Sequence, residues 1–484
     1  MLFNSFEFIF IFLPSVLVGY YFLKASLLSD LSNIFLVAAS LTFYSWWNLA
    51  YLPLIAFSII FNYCAAYCLS DSRKFICNKK LIYIISIIAN VALLFYFKYV
   101  DFFIENANLL LSTQFSLLNI VLPLAISFFT LQQIAFLTDC YEGLSGENRF
   151  FDYALFVSFF PQLIAGPIVH HKEMMPQFLD TSNQGINYRN LGIGVFVFCS
   201  GLFKKVVIAD SFAVWASDGF SHISILTVYD SWVASLSYSM QLYFDFSGYC
   251  DMAIGIALMF NIMLPINFNS PFKATGMIDF WKRWHITLTR FITTYIYTPL
   301  IRMLPRITFG GAMVVTIISF VIAGLWHGAS WTFIVFGTLN GLGIAANHIW
   351  QKKLKKILKI NIVPFLGWFI TFNYVNVTFV FFRAENVADA VMMVSKMYYG
   401  LYQALINVFS FSGLSPVEWN SIFYPIYAVV PLLVTILFTT ISPNNNNFMS
   451  TIRFNWKLLF LCTFFFCCSV MMLTSFSEFL YFNF

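Results

Sequence analysis

Charged residues are scarce in this sequence. Only 10% of its 484 positions are Asp, Glu, Lys or Arg, whereas 60% are hydrophobic and 20% are aromatic. A water-soluble chain would carry about 25% charged residues, so the composition excludes an ordinary soluble globular protein. The net charge of +5 is modest. Its basic residues collect in loops, which indicates membrane topology and lipid contact rather than nucleic-acid binding.

The sequence also lacks cysteine pairs with metal-binding or redox spacing. None of its nine cysteines forms a C-x-x-C motif, which argues against a structural zinc site. Several, including Cys250, Cys462 and Cys468, lie in or beside apolar runs, where cysteine acts as a small hydrophobic residue. The sequence therefore predicts no metal site and no bound cofactor.

Apolar runs of roughly 15–20 residues are abundant, and most are long enough to cross a bilayer as helices. They are not alternating ten-residue segments, which argues against an outer-membrane barrel. We predict an all-α polytopic membrane protein with about eleven transmembrane helices plus re-entrant and interfacial partial helices. The predicted spans are residues 6–23, 31–47, 52–69, 81–97, 118–137, 191–209, 232–246, 250–264, 312–325, 332–349, 363–382, 422–438 and 458–472. The first has no basic residues before it and no cleavage site after it, so it is predicted to be a retained helix.

One apolar segment, residues 151–168, is interrupted by Pro161, Gly166 and Pro167. Prolines and glycines inside an apolar run free backbone groups that lipid cannot satisfy. The segment is therefore predicted to be a re-entrant or broken helix, shielded by other parts of the protein.

Two basic loops predict the topology. One carries Arg73, Lys74, Lys79 and Lys80, and the other is the lysine-rich run 352–359. By the positive-inside rule both are expected in the cytoplasm, which places the N-terminus outside. The second run has lysines on one face and apolar residues on another. It is interpreted either as an interfacial helix on anionic lipid or as a docking site for an acidic carrier protein or a nucleotide-bearing donor.

Ionisable residues, rare elsewhere, cluster between residues 200 and 330. They include Lys204, Lys205, Asp210, Asp245, Asp251, Asp279, Lys282, Arg283, His285, Arg290 and His327. Near a membrane such groups must pair with one another or line a wet cavity. Two interpretations of Asp245 and Asp251 stay open: they pair with nearby lysines and arginines, or they face a substrate.

Two histidines in this cluster, His285 and His327, are the ones that follow a tryptophan. His327 lies in the segment AGLWHGASW between two apolar stretches, at membrane depth, where an ionisable group indicates function. Imidazole exchanges a proton near neutral pH and suits a general base. The other histidines are assigned no chemistry: His170 and His171 are predicted to lie in an exposed turn, and His222 and His348 at segment edges.

Glycine pairs surround His327 in the sequence. Gly324 and Gly328, and likewise Gly337 and Gly341, have the small-xxx-small spacing. In a bilayer this spacing lets helix backbones approach closely. The pairs are predicted to hold the His327 segment against neighbouring helices.

Several motifs together resemble the membrane-bound O-acyltransferase family, in particular its bacterial alginate O-acetyltransferase type. The matching segments are MLFNSFEF at 1–8, LFVSFFPQLIAGPI at 155–168, LFKK at 202–205, YFDFSGYCD at 243–251, FWKRWHIT at 280–287 and LWHGASW at 325–331. They follow the family's order over about residues 1–345, so the resemblance does not rest on one motif.

The resemblance implies one membrane domain over residues 1–484, with a motif-bearing core at about 1–350 and C-terminal helices at 351–484. Its helices would form a ring around a central tunnel. His327 matches the family's invariant histidine and His285 its second motif histidine. The predicted substrate-binding or tunnel residues are Asp245, Ser247, Asp251, Trp281, Arg283, Trp284, Trp326 and Trp331.

The predicted activity is O-acyl transfer from a cytoplasmic thioester, either acetyl-CoA or an acyl-carrier protein, to a polysaccharide hydroxyl outside the cell. His327 would act as the base, and His285 would hydrogen-bond the acyl group, the acceptor or the oxyanion. The chain has no Gly-Asp-Ser segment of an esterase-like acetyltransferase. The resemblance therefore implies a separate extracytoplasmic partner of the SGNH type. Two alternatives remain: D-alanyl transfer to teichoic acid, and a transporter or flippase.

Overall fold

The computed structural model describes residues 1–25, 31–70, 78–145, 149–180, 185–358, 362–409, 428–442, 452–473 and 480. Within these ranges the regular elements are all helical. The α-helices, numbered here α1 to α22, are α1 Leu13–Ala25, α2 Leu31–Ser45, α3 Leu52–Leu69, α4 Lys79–Lys98, α5 Val100–Leu111, α6 Ile126–Tyr141, α7 Phe150–Ser158, α8 Phe160–Leu163, α9 His171–Leu179, α10 Tyr188–Leu202, α11 Asp210–Ser221, α12 Val228–Met259, α13 Met277–Trp281, α14 Ile286–Ile292, α15 Thr298–Arg302, α16 Phe309–His327, α17 Trp331–Ile349, α18 Lys355–Leu358, α19 Pro364–Arg383, α20 Val387–Phe409, α21 Val429–Ile441 and α22 Trp456–Met472.

Short helical turns of other types join some of these helices. The π-helical turns are Phe8–Phe12, Phe203–Ala209, Thr293–Tyr297 and Trp350–Leu354, and the 3-10 turns are Leu49–Tyr51, Ile223–Ile225 and Pro271–Lys273. The turn Trp350–Leu354 joins α17 to α18, so the lysine-rich run continues the preceding span as a helix. The last residue of that run, Lys359, lies outside the described residues, as do Arg73 and Lys74 of the other basic loop.

Seven described helices are long and apolar enough to cross a membrane. They are Phe8–Ala25, Leu49–Leu69, Lys79–Lys98, Tyr188–Ser221, Phe309–His327, Trp331–Lys352 and Pro364–Arg383. Shorter apolar helices are Leu31–Ser45, Val429–Ile441 and Trp456–Met472. The predicted all-α polytopic membrane protein is therefore confirmed, whereas the count of about eleven spans stays a prediction.

The two spans predicted at 232–246 and 250–264 are wrong, because the structure has one helix there, α12. This helix has 32 residues and is buried along nearly all of its length. Gly248, which lies between the two predicted spans, packs against α10: a Cβ added at Gly201 would lie 2.6 Å from the Gly248 carbonyl oxygen. Close glycine contact thus continues the helix through this position instead of ending it.

Two other segments have helix boundaries that can be compared with the predicted ones. The span predicted at 118–137 begins later, at Ile126, because Ala125 has a left-handed backbone with φ 61°. The broken helix predicted at 151–168 is confirmed: α7 ends at Ser158 and α8 covers Phe160–Leu163. This whole segment is almost completely buried, as non-helical backbone at membrane depth requires.

The helices α16 and α17 form a hairpin held by glycine. A Cβ added at Gly324 would lie 2.2 Å from the Phe333 carbonyl oxygen, and one added at Gly337 would lie 2.3 Å from that of Phe320. The close approach predicted from the glycine spacing is therefore present.

Replacing Gly324 with leucine is expected to lower stability by about 1–3 kcal/mol or more, because the new side chain must force α16 and α17 apart. Thermal unfolding of the purified protein in detergent measures the change. Gly310→Leu is the matched control on the same helix, since no atom lies within 4 Å of a Cβ added there. Equal melting temperatures for the two variants would contradict the close packing.

The ends of the spanning helices form two different faces of the protein. We call the basic face the end where α4 begins at Lys79 and α17 ends at Ile349, and the other end the opposite face. On the opposite face the end of α4 contacts the turn of the α16–α17 hairpin, where the Tyr99 hydroxyl donates to the Leu325 carbonyl oxygen at 2.8 Å. On the basic face the rings of Tyr83 and Tyr141 stack at 4.5 Å.

A re-entrant segment enters from the basic face. It begins at α13, where the Ile278 N–H donates to the Asn347 side chain in the last turn of α17. It reaches the interior at His285, which is fully buried. After α14 it returns to the basic face, where the Tyr295 hydroxyl donates to Asp139 in the last turn of α6. The segment thus carries a histidine from one face into the middle of the protein.

Candidate active site

His327 is the last residue of α16, at the turn of the glycine-packed hairpin. The carbonyl groups at the end of this helix lack helical partners and are bound by the end of α4 instead. Lys98 Nζ donates to the Trp326 carbonyl oxygen at 2.5 Å and to that of His327 at 3.1 Å. A cation at a helix C-terminus also stabilises the helix dipole. The position of His327 is therefore fixed through its backbone.

His285 has an unusual backbone conformation, with φ 44° and ψ 52°. A left-handed conformation at a non-glycine residue is strained and persists only where the surroundings enforce it. Asn267 supplies that constraint, because its Oδ1 atom lies 3.1 Å from His285 Nδ1 and accepts from the Thr287 N–H at 3.2 Å. The Thr287 hydroxyl also donates to this oxygen, at 2.9 Å.

The same contacts assign the tautomer of His285. Asn267 Oδ1 is an acceptor, so His285 Nδ1 carries the hydrogen and Nε2 carries the lone pair. Among the described residues Nε2 has no hydrogen-bond partner. A fully buried imidazole nitrogen of this kind can accept a hydrogen bond from a substrate hydroxyl.

The two predicted catalytic histidines lie together. Their ring centroids are 6.4 Å apart, and His327 is 4% exposed while His285 is fully buried. Aromatic rings surround both: Phe246 lies 4.8 Å from His285 and Phe382 lies 5.1 Å from His327, between centroids. The Trp326 ring contacts both imidazoles, at 6.1 Å and 4.9 Å. The pair is held in a buried, largely apolar environment.

Asn267→Ala is expected to reduce acyl transfer by about 10-fold or more, because His285 loses the bond that fixes its ring and tautomer. The variant should keep substrate binding better than turnover, so kcat should fall more than KM rises. Asn376→Ala is a control at another buried amide, one that bonds Ser235 and Ser239 away from the histidines. Equal loss in both variants would contradict a positioning role for Asn267.

Three of the predicted tunnel residues, Asp245, Ser247 and Asp251, lie on α12. Asp251 pairs with Lys204 at 2.6 Å, and Asp245 with Lys205 at 2.6 Å. Lys205 is 1% exposed, so it does not reach the interface as lysines near membrane ends commonly do. Ser247 is buried one residue after Phe246, the residue whose ring contacts His285. Both carboxylates are therefore paired with lysines, as the first interpretation of them expects. Their role in substrate binding stays a prediction.

The tryptophans and the arginine occupy different depths. The Trp281 indole donates to Asn340 at 3.1 Å, and Trp284 stacks on Phe280 at 5.6 Å. Arg283 is partly exposed on the basic face and pairs with Asp279 at 2.8 Å. Trp331 lies on the opposite face, where it is 55% exposed and donates to Asn106 at 2.9 Å. Of these residues, Trp326 alone directly contacts both histidines.

A cavity of about 580 Å³ opens beside the hairpin turn on the opposite face. It is lined by Phe102, Glu105, Asn106, Leu109, Ala329, Ser330, Trp331, Glu385, Asn386 and Val387. An exposed indole ring among carboxylate and amide groups offers both a flat apolar surface and hydrogen-bond acceptors.

The exposed turn predicted at His170 and His171 is wrong. His171 is 4% exposed and opens α9, and His170 lies 3.1 Å from Asp139. Burial, together with the neighbouring His170 charge, lowers the pKa of His171 to about 4. No local pattern indicated this contact, because Asp139 is 31 positions before His170 in the chain.

The sequence analysis also did not identify two residues that hold the histidine pair in place, Lys98 and Asn267. Lys98 carried a signal, since a lysine at the end of an apolar run is costly unless it has a function or a partner. Asn267 carried none, because its contacts depend on the fold of the re-entrant segment.

Comparison with known proteins shows the family of this chain. The model of the membrane-bound O-acyltransferase family, MBOAT, matches residues 141–385, which include both histidines. The chain is 48% identical over 425 residues to the peptidoglycan O-acetyltransferase of Helicobacter pylori, covering 82% of this chain and 80% of that protein. It is 34% identical over 419 residues to a probable alginate O-acetylase of Azotobacter vinelandii, covering 82% and 78%.

A more distant relative is the teichoic acid D-alanyltransferase of Streptococcus thermophilus, 28% identical over 294 residues and covering 55% of this chain and 69% of that protein. The matched segments contain the buried histidine pair and the re-entrant segment that carries His285. The resemblance inferred from the motifs is confirmed. The chain belongs to the membrane-bound O-acyltransferase family and is a multi-pass membrane O-acyltransferase.

Proposed function

We propose that this enzyme moves an acetyl group from a cytoplasmic thioester across the membrane toward a polysaccharide hydroxyl. The observation that supports the proposal is that two histidines, carried by segments from opposite faces, lie next to each other in the interior. His285 arrives on a segment that enters from the basic face, and His327 ends a span at the opposite face. A donor and an acceptor approaching from the two faces would meet between them.

His327 would remove the proton from the attacking hydroxyl, and general-base catalysis of this kind contributes about 10²–10⁴-fold. The oxygen would attack the thioester carbonyl and form the ester bond, the C–S bond would break, and the thiolate would leave with the proton that His327 had taken up. His285, with its lone pair at Nε2, would accept a hydrogen bond from a second hydroxyl of the acceptor and so orient the acceptor. Exclusion of water by the surrounding aromatic rings would limit hydrolysis of the thioester.

The basic face suits the donor. Lys282 and Arg283 lie on the re-entrant segment, and Lys352 follows α17. Acetyl-CoA carries phosphates and an acyl-carrier protein is acidic, so either would be attracted to this charge. By the positive-inside rule the basic face is cytoplasmic, which agrees with a cytoplasmic thioester. The enzyme would use the thioester as a substrate and hold no resident cofactor.

The opposite face suits the acceptor. Trp331 and the carboxylate and amide groups around it offer stacking and hydrogen bonding, the combination that sugars use. The relatives named above are a peptidoglycan O-acetyltransferase and a probable alginate O-acetylase. We therefore favour a cell-envelope polysaccharide, reached through an esterase-like partner outside the membrane that receives the acetyl group from this enzyme.

The test compares a deletion strain with the same strain carrying the intact gene. Base-labile acetate is measured in purified peptidoglycan and in secreted polysaccharide. Acetate restored in one fraction supports the proposal and identifies the acceptor. D-alanine ester restored in place of acetate would assign the enzyme to teichoic-acid modification, and no change in either ester would overturn the proposal.

A further inference from the structure

A second cluster of ionisable side chains lies at the basic face, outside the histidine pair. Asp139 is in the last turn of α6, and His170 and His171 stand where α9 begins. One ligand atom from each of the three lies within 4.8 Å of the others. His170 Nε2 is 3.1 Å and His171 Nε2 is 3.8 Å from the same carboxylate oxygen, Asp139 Oδ2.

We propose that Asp139, His170 and His171 bind a divalent transition-metal ion such as zinc. Two imidazole nitrogens and one carboxylate oxygen are a ligand set that zinc and its neighbours in the first transition row accept. In a tetrahedral zinc site with bonds near 2.0–2.1 Å, neighbouring ligand atoms are roughly 3.3 Å apart. The two separations from Asp139 lie on either side of that value.

The state of His171 is an independent observation that points to a ligand. The residue is 4% exposed, and neither of its ring nitrogens has a hydrogen-bond partner among the described residues. A buried imidazole with no partner is destabilising, and such groups are rare in native proteins. A metal ion at Nε2 would satisfy this nitrogen.

Lys172 occupies the carboxylate oxygen to which an ion would bind. Its Nζ atom lies 3.2 Å from Asp139 Oδ2, but the side chain is 45% exposed and can turn into water. Binding at His170 Nε2 would also place the hydrogen on Nδ1, so the weak 3.4 Å contact from the Lys172 N–H would open. Cavities of about 260 Å³ beside His170 and about 700 Å³ beside His171 give an ion access.

The site would join three segments of the chain. Asp139 ends α6, the histidines open α9, and Tyr295, which donates to Asp139 and would release His170 Nε2 to the ion, follows the re-entrant segment. Just before the histidines, the Ile168 N–H donates to the Thr287 hydroxyl, which bonds Asn267. A bound ion would therefore brace the loop that also supports His285, without touching the reacting atoms.

The experiment uses the full-length protein purified in detergent and stripped with a chelator. Zinc is titrated by calorimetry, thermal unfolding is followed with and without zinc, and cobalt serves as a spectroscopic substitute. We expect one zinc ion per chain, a higher melting temperature with zinc, and a tetrahedral cobalt spectrum without a thiolate band. His171→Gln and Asp139→Asn should weaken binding by about 100-fold or more. His222→Gln, at an exposed histidine elsewhere, is the matched control and should bind as the intact chain does.

A variant that should bind zinc more tightly keeps the proposal testable even if His171→Gln and Asp139→Asn fold poorly. Lys172→Ala removes the competing cation and should tighten zinc binding by about 10-fold. Zinc binding that is absent at micromolar concentration, equal in His171→Gln and His222→Gln, or unchanged in Lys172→Ala would overturn the proposal. A thiolate band in the cobalt spectrum would do so as well, by assigning the metal to cysteine.

Discussion

Replacing His327 with alanine is expected to abolish acyl transfer, with a loss of about 10²–10⁴-fold or more. The imidazole lies 6.4 Å from that of His285, between centroids, within a shell of aromatic side chains. Alanine at this position leaves no imidazole to take up the proton of the attacking hydroxyl. The measurement is ester-linked acetate in the cell envelope at matched membrane expression.

Two further variants distinguish the loss of a base at His327 from the loss of packing there. His327→Gln keeps most of the volume and hydrogen-bonding capacity but cannot take up a proton, so it should be as inactive as the alanine variant. His348→Ala, at a histidine in the last turn of α17 near the basic face, should retain activity. Activity in His327→Gln near that of the intact chain would rule out a general base at this position.

Lys205→Met is expected to destabilise the protein by about 3–5 kcal/mol, because it leaves two carboxylates buried without their cation. Lys205 Nζ lies 2.8 Å from Asp210 and 2.6 Å from Asp245, and its side chain is 1% exposed. The triad joins α11 and α12 through the π-helical turn between α10 and α11. The loss should appear as a lower melting temperature in detergent and less protein in the membrane.

The neighbouring lysine is the control for this variant. Lys204 pairs with Asp251, but these side chains are 18% and 13% exposed, so water reaches the charge that remains. Lys204→Met should therefore have a clearly smaller effect. Adding Asp245→Leu and Asp210→Leu to Lys205→Met should recover stability, since apolar groups of similar size can replace a buried ion cluster. Equal destabilisation by the two single variants would contradict this account of the triad.

The sequence indicated the class of fold and the histidine pair for clear reasons. Long apolar runs with few charges predict membrane helices, and an ionisable residue inside such a run stands out. His327 and His285 were visible in this way, and the glycine spacing around Gly324 predicted the close hairpin that the structure contains.

Other features depend on contacts that no local pattern encodes. The continuous α12 passes through Gly248, which packs closely against Gly201 on α10, a contact between helices that no local pattern encodes. Asn267 and Asp139 act on histidines that are 18 and more positions away in the chain. The burial of His171 followed from the position of α6, which periodicity alone does not give.

The central claim is that acetyl groups cross the membrane through the His285–His327 pair. Inverted membrane vesicles would be given cytosol and radiolabelled acetyl-CoA on their outside, which is the cytoplasmic face and supplies either thioester donor. The account predicts ester-linked label on polysaccharide inside vesicles that carry the intact chain and none with His327→Ala. Equal label in the two preparations, or label that appears only when acetyl-CoA is enclosed inside the vesicles, would contradict it.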